Sequence, residues 1–481
     1  MAGDNSLNKT VYADLEEMKQ GLSTENDIIL VLADRYASNH FEDEWNEARL
    51  FQVSYESGNV KLTELEDENI GVSKEWLDDN IDTGSEKTLS TFLQYAASHY
   101  DFKKVYLDLW NHGGGWKSGD LYTGITHSLS RNICSDEGSR NSLSLAELVS
   151  AINTSKIKHF EIILMDACSM ASIEVIAELI GLTNTVIFSQ DLVPEDGMPY
   201  NTIIPLIFSN KTSCEKCSKI CDSYSQSYKN IKTTISAFRI DENDCMKKFL
   251  VAFEKHIKLI TDIESIEMAR SYCYEFMNDV VDIDPLLDDI LKNEYNTVLI
   301  QNCSDYSTGL SIFFPEFISY SKDSWEYTTE RLRFLSLCPS YLDFLKRIEK
   351  NNSSCIVLDS YEPNNFQIDS YVVERAENKV VSYLWCLGDE DWYLLNSVDN
   401  ITQIRLITPN LIEYNLLVLL YKDGTFIESF YENKQKEVNI TAYDFDKLYI
   451  KVYSAFGYYS QETPYSLELI DNGKEMLSLS S

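Results

Sequence analysis

KVYLDLWNHGGGW, residues 104–116, is a compact apolar run that ends at a histidine and then places three glycines in succession. Large aliphatic and aromatic side chains packed this densely suit a strand buried on both faces, and such strands belong to sheets covered by helices. DIILVLAD (27–34), LFQVSY (50–55), FEIILMDA (160–167) and TVIFSQ (185–190) repeat the pattern. Between several of them lie the amphipathic stretches EKTLSTFLQYAASHY (86–100), SLSLAELVSAI (142–152) and SMASIEVIAELIG (169–181). Buried strands alternating with helices predict an α/β domain built on a mostly parallel sheet. The glycine triplet stands out because the chain holds only 18 glycines and six histidines in 481 residues.

Composition narrows the function. A net charge of −36 repels nucleic acid and anionic membranes, and no basic run offsets it, whereas a cationic substrate is compatible with it. No apolar run reaches transmembrane length and no charged-then-apolar leader opens the chain, so membrane insertion is not expected. The eleven cysteines are an odd number without a tight framework, so most are expected to be reduced or buried. Cys214, Cys217 and Cys221 have metal-like spacing, yet i, i+3, i+7 is also one face of a helix, which is the preferred reading.

Two strands end unusually. In a parallel sheet, catalytic groups gather where strands release the chain at their carboxyl ends. WNHGGGW and LMDACSM are two such ends, with the helix SLSLAELVSAI between them, so a right-handed crossover brings His112 and Cys168 to one edge. A thiolate is the nucleophile and an adjacent imidazole is a general base, which makes the pair a candidate for acyl transfer. Cys168 precedes the stretch expected to form a helix, whose N-terminal partial charge favours a thiolate. Gly113 lets bare backbone approach a substrate carbonyl, and its N–H and that of Cys168 are the expected oxyanion donors. His127 and His159 fit less well, one lying in a loop and the other ahead of its strand.

These motifs resemble those of the clostripain-like cysteine peptidases of the caspase-like clan. MAGDNSL near the start, RNICSDEGSRNSLSLAEL (131–148), SQDLVPEDGMPY (189–200), VVDIDPLLDDI (280–290) and GLSIFFP (309–315) extend the likeness in order over about residues 1–345. The resemblance implies a His112–Cys168 dyad, cleavage after basic residues and an acidic specificity pocket. Asp166, two residues before Cys168 and so on the same face of an extended strand, suits a substrate Arg or Lys; the other reading is an inward carboxylate satisfied by backbone N–H groups. Asp196 is a second pocket candidate, or a turn residue. Relatives that clip themselves make Arg131 and Arg140, between the dyad members, candidate processing sites. In the family the MAGDN turn follows a central strand, which here would lie ahead of Met1. Asp4, Asn5 and Ser6 then read as a turn that caps the following helix.

Residues 1–349 are thus expected to form the peptidase domain and KNNSSC a linker over 350–356. From 357 to 475, short β-rich runs separated by turns predict an all-β sandwich. SYEPNNF (360–366) and LGDEDWYLL (387–395) resemble the bacterial pre-peptidase C-terminal domain, which accompanies secreted peptidases. Glu362, Asn364, Asp389 and Asp391 supply oxygen ligands suited to Ca²⁺, the one cofactor envisaged, while turn and solvated-face roles are the preferred reading of them. The expectation is a monomeric, secreted or cell-surface cysteine endopeptidase acting on protein substrates at basic residues. Its rival is a non-catalytic binding protein that works through the β-sandwich.

Overall fold

A computed structural model describes residues 1–35, 48–65, 81–116, 133–277, 279–315, 327, 332–353, 361, 364, 370–373, 379–384, 390–396, 401–408, 414–423, 425–431, 436–453 and 463–471. The chain divides into two compact units, Met1–Pro315 with Glu330–Phe344, and Glu316–Thr329 with Leu345–Ser481.

The first unit opens with β1 (Ala2–Gly3), α1 (Thr10–Gly21), β2 (Ile28–Arg35), β3 (Arg49–Glu56), β4 (Asn59–Glu64) and α2 (Glu86–His99). It continues with β5 (Tyr106–Trp110), β6 (Ile133–Asp136), β7 (Asn141–Leu143), α3 (Leu145–Thr154), β8 (Phe160–Asp166), α4 (Ile173–Leu179) and β9 (Thr183–Phe188). Then come α5 (Tyr200–Ile207), α6 (Ser213–Ser227), β10 (Ser236–Arg239), α7 (Cys245–Leu259), α8 (Ile263–Ser271), α9 (Asp289–Val298) and β13 (Leu299–Asn302), with β11 (Glu275–Met277) and β12 (Val280–Asp282) before α9 and β14 (Ser311–Phe313) after β13.

The sheet order β13-β10-β9-β8-β5 places β5, β8 and β9 side by side and parallel, and β10 and β13 run antiparallel beyond them. A second sheet, β1-β2-β3-β4, has one parallel pair and two antiparallel pairs. The architecture is therefore mixed α/β rather than mostly parallel. One of the antiparallel pairs has a local cause: β3 and β4 are joined by Ser57 and Gly58 alone, both at positive φ (51° and 85°), and strands joined by a two-residue turn pair only antiparallel.

The helices α1, α5 and α6 bury Val11, Leu15, Met18, Ile203, Ile204, Cys217 and Ile220 against Val31, Phe51, Ile162 and Ile187 of the strands. Cys217 and Cys221 are core residues of α6, as the helical reading expects. α1 begins at Thr10, not after Ser6, so Asp4, Asn5 and Ser6 are released for other partners. α3 carries a full capping box: Glu147 N–H donates to Ser144 Oγ at 3.2 Å, and Ser144 N–H donates to the Glu147 carboxylate at 2.9 Å. α4 is shorter than the 169–181 stretch suggests. Ser169 is at φ 56°, Ala171 N–H donates to Ser189 O at 2.8 Å, and Ser172 bridges to Ser311, so the chain does not become helical until Ile173.

In the second unit, a five-stranded sheet (Tyr371–Val372, Glu390–Leu395, Lys447–Tyr453, Asn415–Lys422, Thr425–Tyr431) and a four-stranded sheet (Lys379–Ser382, Tyr465–Asp471, Ile401–Ile407, Glu437–Asn439) share one core. Val418, Leu420, Ile450 and Val452 of the first meet Ile404, Leu406, Val438 and Leu467 of the second within it. Lys447–Tyr453 alternates half-buried and buried residues, the period of a strand with one face inward. The expected linker begins inside a helix, since Ser340–Ser353 is continuous; residues 354–360 lie outside the described residues.

Candidate active site

Strand β5 pairs with β8 in parallel register down to Trp110 opposite Asp166, and Asn111 N–H donates to Asp166 O at 3.1 Å. His112 and Cys168 thus leave the sheet side by side, each two residues past the same rung. Glycine at 113 is required by space: a Cβ there would meet Cys168 O at 2.4 Å and the Ala167 Cβ at 2.9 Å. Gly115 sits at φ 70°, with Ser169 O 3.1 Å from where its Cβ would be. The glycines let the two exits lie backbone against backbone.

Cys168 is half-buried, and its sulfur accepts from Val193 N–H at 3.2 Å. Burial pushes the thiol above its ordinary pKa, while the Val193 N–H acts against this. The expected helix dipole is remote, because α4 starts only at Ile173 and four residues separate it from the cysteine. His112 is pushed below its ordinary value by desolvation, with Glu137 acting the other way. The two shifts have the same sense, each disfavouring the charged form, and so both work against a resting thiolate–imidazolium pair. His112 Nε2 lies 2.8 Å from Ser6 Oγ.

Asp166 points inward and is 4% exposed. One of its oxygens, Oδ2, accepts from Met198 N–H and from the Tyr200 hydroxyl, each at 3.0 Å. The same hydroxyl stands 2.6 Å from Asp108 Oδ2. One hydroxyl proton cannot donate to two carboxylates, so one of the aspartates carries a proton of its own. Burial pushes Asp108 up to about 7 and Asp166 to about 6, and Asp14, which accepts from Trp110 Nε1 at 2.7 Å, to about 8. Gly197, at φ 60°, crosses directly over Asp166, where a Cβ would lie 2.8 Å from Oδ2. This is the inward carboxylate of the second reading, satisfied by a backbone N–H and a tyrosine hydroxyl. Asp196, beside Gly197, is exposed on a turn closed by Gly197 N–H to Pro194 O at 2.9 Å.

Arg140 is exposed in the hairpin turn between β6 and β7, at φ 55°; Arg131 lies outside the described residues. Of the four oxygen ligands expected for Ca²⁺, Glu362 and Asp389 also lie outside them. Asn364 and Asp391 are fully buried; Asn364 O accepts from Trp392 N–H at 2.7 Å and Asp391 accepts from the Tyr465 hydroxyl. A different acidic group emerges in the first unit, where carboxylate oxygens of Asp4, Asp34 and Asp136 lie within 4.8 Å of one another. Burial and mutual repulsion raise Asp4 to about 6 and Asp34 to about 8. That donor set is chemically suited to a hard cation. No periodicity signals it, because its members come from the first turn, β2 and β6.

Among the described residues no helix is long and apolar enough to cross a membrane. The model of the clostripain family of peptidases matches residues 1–374. Clostripain of Hathewaya histolytica is 26% identical over 184 residues, which are 36% of this chain and 33% of that protein, so the chain spans about a third of that curated relative. A secreted C11 cysteine protease from Bacteroides thetaiotaomicron, solved with an irreversible peptide inhibitor, matches with TM-score 0.55 and 20% identity over 71% of this chain and 97% of its own. An inactive zymogen C11 protease from Parabacteroides distasonis gives 0.54 and 20% over 70% and 95%. At these identities the solved structures speak for the fold. The chain belongs to the clostripain family.

Proposed function

We propose that this protein is a cysteine endopeptidase that cleaves after Arg or Lys. The observation that carries the reading is the register of β5 against β8, from which His112 and Cys168 emerge as neighbours. In the reaction, His112 takes the thiol proton as Cys168 attacks the scissile carbonyl, and then delivers it to the leaving amine. Water, activated by the same imidazole, hydrolyses the acyl-enzyme. The N–H groups of Gly113 and Cys168 serve the oxyanion. Asp166 receives the basic side chain, and Asp196 contributes from the rim. An arriving guanidinium or ammonium stabilises the ionised form of Asp166, leaving the shared proton with Asp108.

Self-processing at Arg131 or Arg140 belongs to the same proposal. A peptidase binds its substrate extended, so the Arg140 hairpin has to open before it is cut. Two fragments from wild-type protein and none from Cys168→Ala would support processing. Secretion, the monomeric state, Ca²⁺ binding and a pre-peptidase-type β-sandwich in the second unit are part of the reading, carried by the resemblance rather than by the site.

The direct test is hydrolysis of a chromogenic peptide ending in Arg or Lys by the full chain. We expect turnover that iodoacetamide abolishes, and a loss of at least ~10³-fold in Cys168→Ala and His112→Ala, given the non-additive collapse seen when one member of such a pair is removed. A folded preparation without thiol-sensitive turnover would favour the binding protein instead.

A further inference from the structure

Ser6 and His112 are 106 positions apart in the chain, yet Ser6 Oγ and His112 Nε2 are 2.8 Å apart. Two asparagines explain how so exposed a contact is fixed. Asn5 Nδ2 donates to Ala2 O at 3.0 Å and to Ser135 O at 2.8 Å. Asn111 Nδ2 donates to the same two carbonyls, reaching Ser135 O at 3.0 Å. Each asparagine is 3% exposed, and each immediately precedes one member of the pair. Their oxygens are used as well: Asn5 Oδ1 accepts from Leu7 N–H at 2.9 Å, and Asn111 Oδ1 accepts from Ser135 N–H at 3.1 Å and from its hydroxyl at 3.0 Å. A buried amide bonded on both sides has one orientation, because a flip would set oxygen against carbonyl oxygen. The turn carrying Ser6 and the strand end carrying His112 are therefore clamped through shared acceptors.

An imidazole offers two nitrogens, and the contact with Ser6 occupies Nε2. On the reading of His112 as general base, Nδ1 is then the nitrogen that would exchange a proton with the thiol. A neutral imidazole ready to accept at Nδ1 carries its own proton on Nε2, where the serine oxygen accepts the hydrogen bond. After transfer the imidazolium still donates there, and a hydrogen bond to a charged donor is the stronger one. The oxygen thus serves both states without moving a proton itself. It also favours the charged form of a ring whose desolvation disfavours it, in the same sense as Glu137.

On the reading of His112 as general base, we propose that Ser6 is a positioning residue whose hydroxyl accepts from Nε2 and holds the imidazole in the tautomer that presents Nδ1 to Cys168. Neither asparagine touches the reacting atoms; they hold the turn.

The test compares wild type, Ser6→Ala, Ser6→Thr, His112→Ala and Cys168→Ala in the full chain, with a chromogenic basic peptide. Ser6→Ala is expected to lower kcat about tenfold, since one hydrogen bond to a charged group is lost, with KM changed less than about twofold. Its acid limb in kcat/KM should move to lower pH, because the imidazolium has lost an acceptor. Ser6→Thr, which keeps the hydroxyl, should restore kcat to within about threefold. Wild-type kcat and pH profile in Ser6→Ala, or a Ser6→Thr as impaired as Ser6→Ala, overturns the proposal while inactive His112→Ala and Cys168→Ala leave the dyad standing. An active His112→Ala overturns the dyad instead. Nitrogen-15 shifts of the His112 ring decide the tautomer without any turnover: Nε2–H in wild type supports the proposal, and Nδ1–H overturns it.

Discussion

At Asp166 one carboxylate is held by a backbone N–H and a tyrosine hydroxyl, under a chain crossing that only glycine permits. Asp166→Asn keeps the shape and removes the charge. Its kcat/KM for Arg and Lys peptides should fall about 30-fold or more, the cost of leaving a buried cation unpaired, while the rate of Cys168 alkylation by iodoacetamide stays within about twofold. Equal losses in both measurements would show that Asp166 supports the fold rather than the pocket. Gly113→Ala tests the other side of the site. A Cβ placed 2.4 Å from Cys168 O forces the loop to shift, and a misplacement of about 1 Å is expected to lower kcat/KM about 100-fold. Unchanged kinetics in that variant would remove the steric reason for the glycine. His112 and Cys168 were legible because an imidazole and a thiol at neighbouring strand ends are rare. Val193 was not, since it acts through a backbone N–H, and any side chain at that position carries one.

At the level of elements, the reading of strands succeeded where apolar runs were continuous and failed where a turn or cap decided the outcome. The runs at 104–110 and 160–167 became β5 and β8 almost residue for residue. The stretch from 169 did not become helix at once, because Ser169, Ala171 and Ser172 are claimed by Asp191, Ser189 and Ser311 before the helix can start. α4 is only seven residues long and is capped by Ser172, whose oxygen accepts from Val175 N–H. Ser172→Ala should therefore cost about 1 kcal/mol, visible as a melting temperature lower by about 1–2 °C. Because the segment before α4 leads back to Cys168, the proposed nucleophile, the same variant tests whether the proposed site tolerates a looser helix start. A melting temperature unchanged within error would mean that the tertiary bonds alone hold this end.

Across the molecule, the acidic composition has a structural counterpart in buried carboxyls. Asp14 is raised to about 8, Asp108 to about 7 and Asp166 to about 6, in each case with burial as the largest cause. A carboxyl whose folded pKa exceeds its unfolded value binds more protons when folded, so the stability it contributes is complete below pH ~4 and is lost as pH rises toward 8. The melting temperature should accordingly fall between pH 5 and pH 8. Asp14→Asn, which keeps an acceptor for Trp110, should flatten part of that slope. A melting temperature that rises over this range would contradict the assignment of these groups as protonated.

The sequence by itself determined the alternation of buried strands and helices, the β-rich second unit and the two strand ends that carry an imidazole and a thiol, because each of these follows from local hydrophobic periodicity and side-chain chemistry. Tertiary structure alone decided how the main sheet mixes parallel and antiparallel strands, that Ser6 meets His112, and that five aspartates lie in or beside the core. Those outcomes depend on contacts between residues as much as 130 positions apart, as between Asn5 and Ser135, and a contact of that separation leaves no period in the chain.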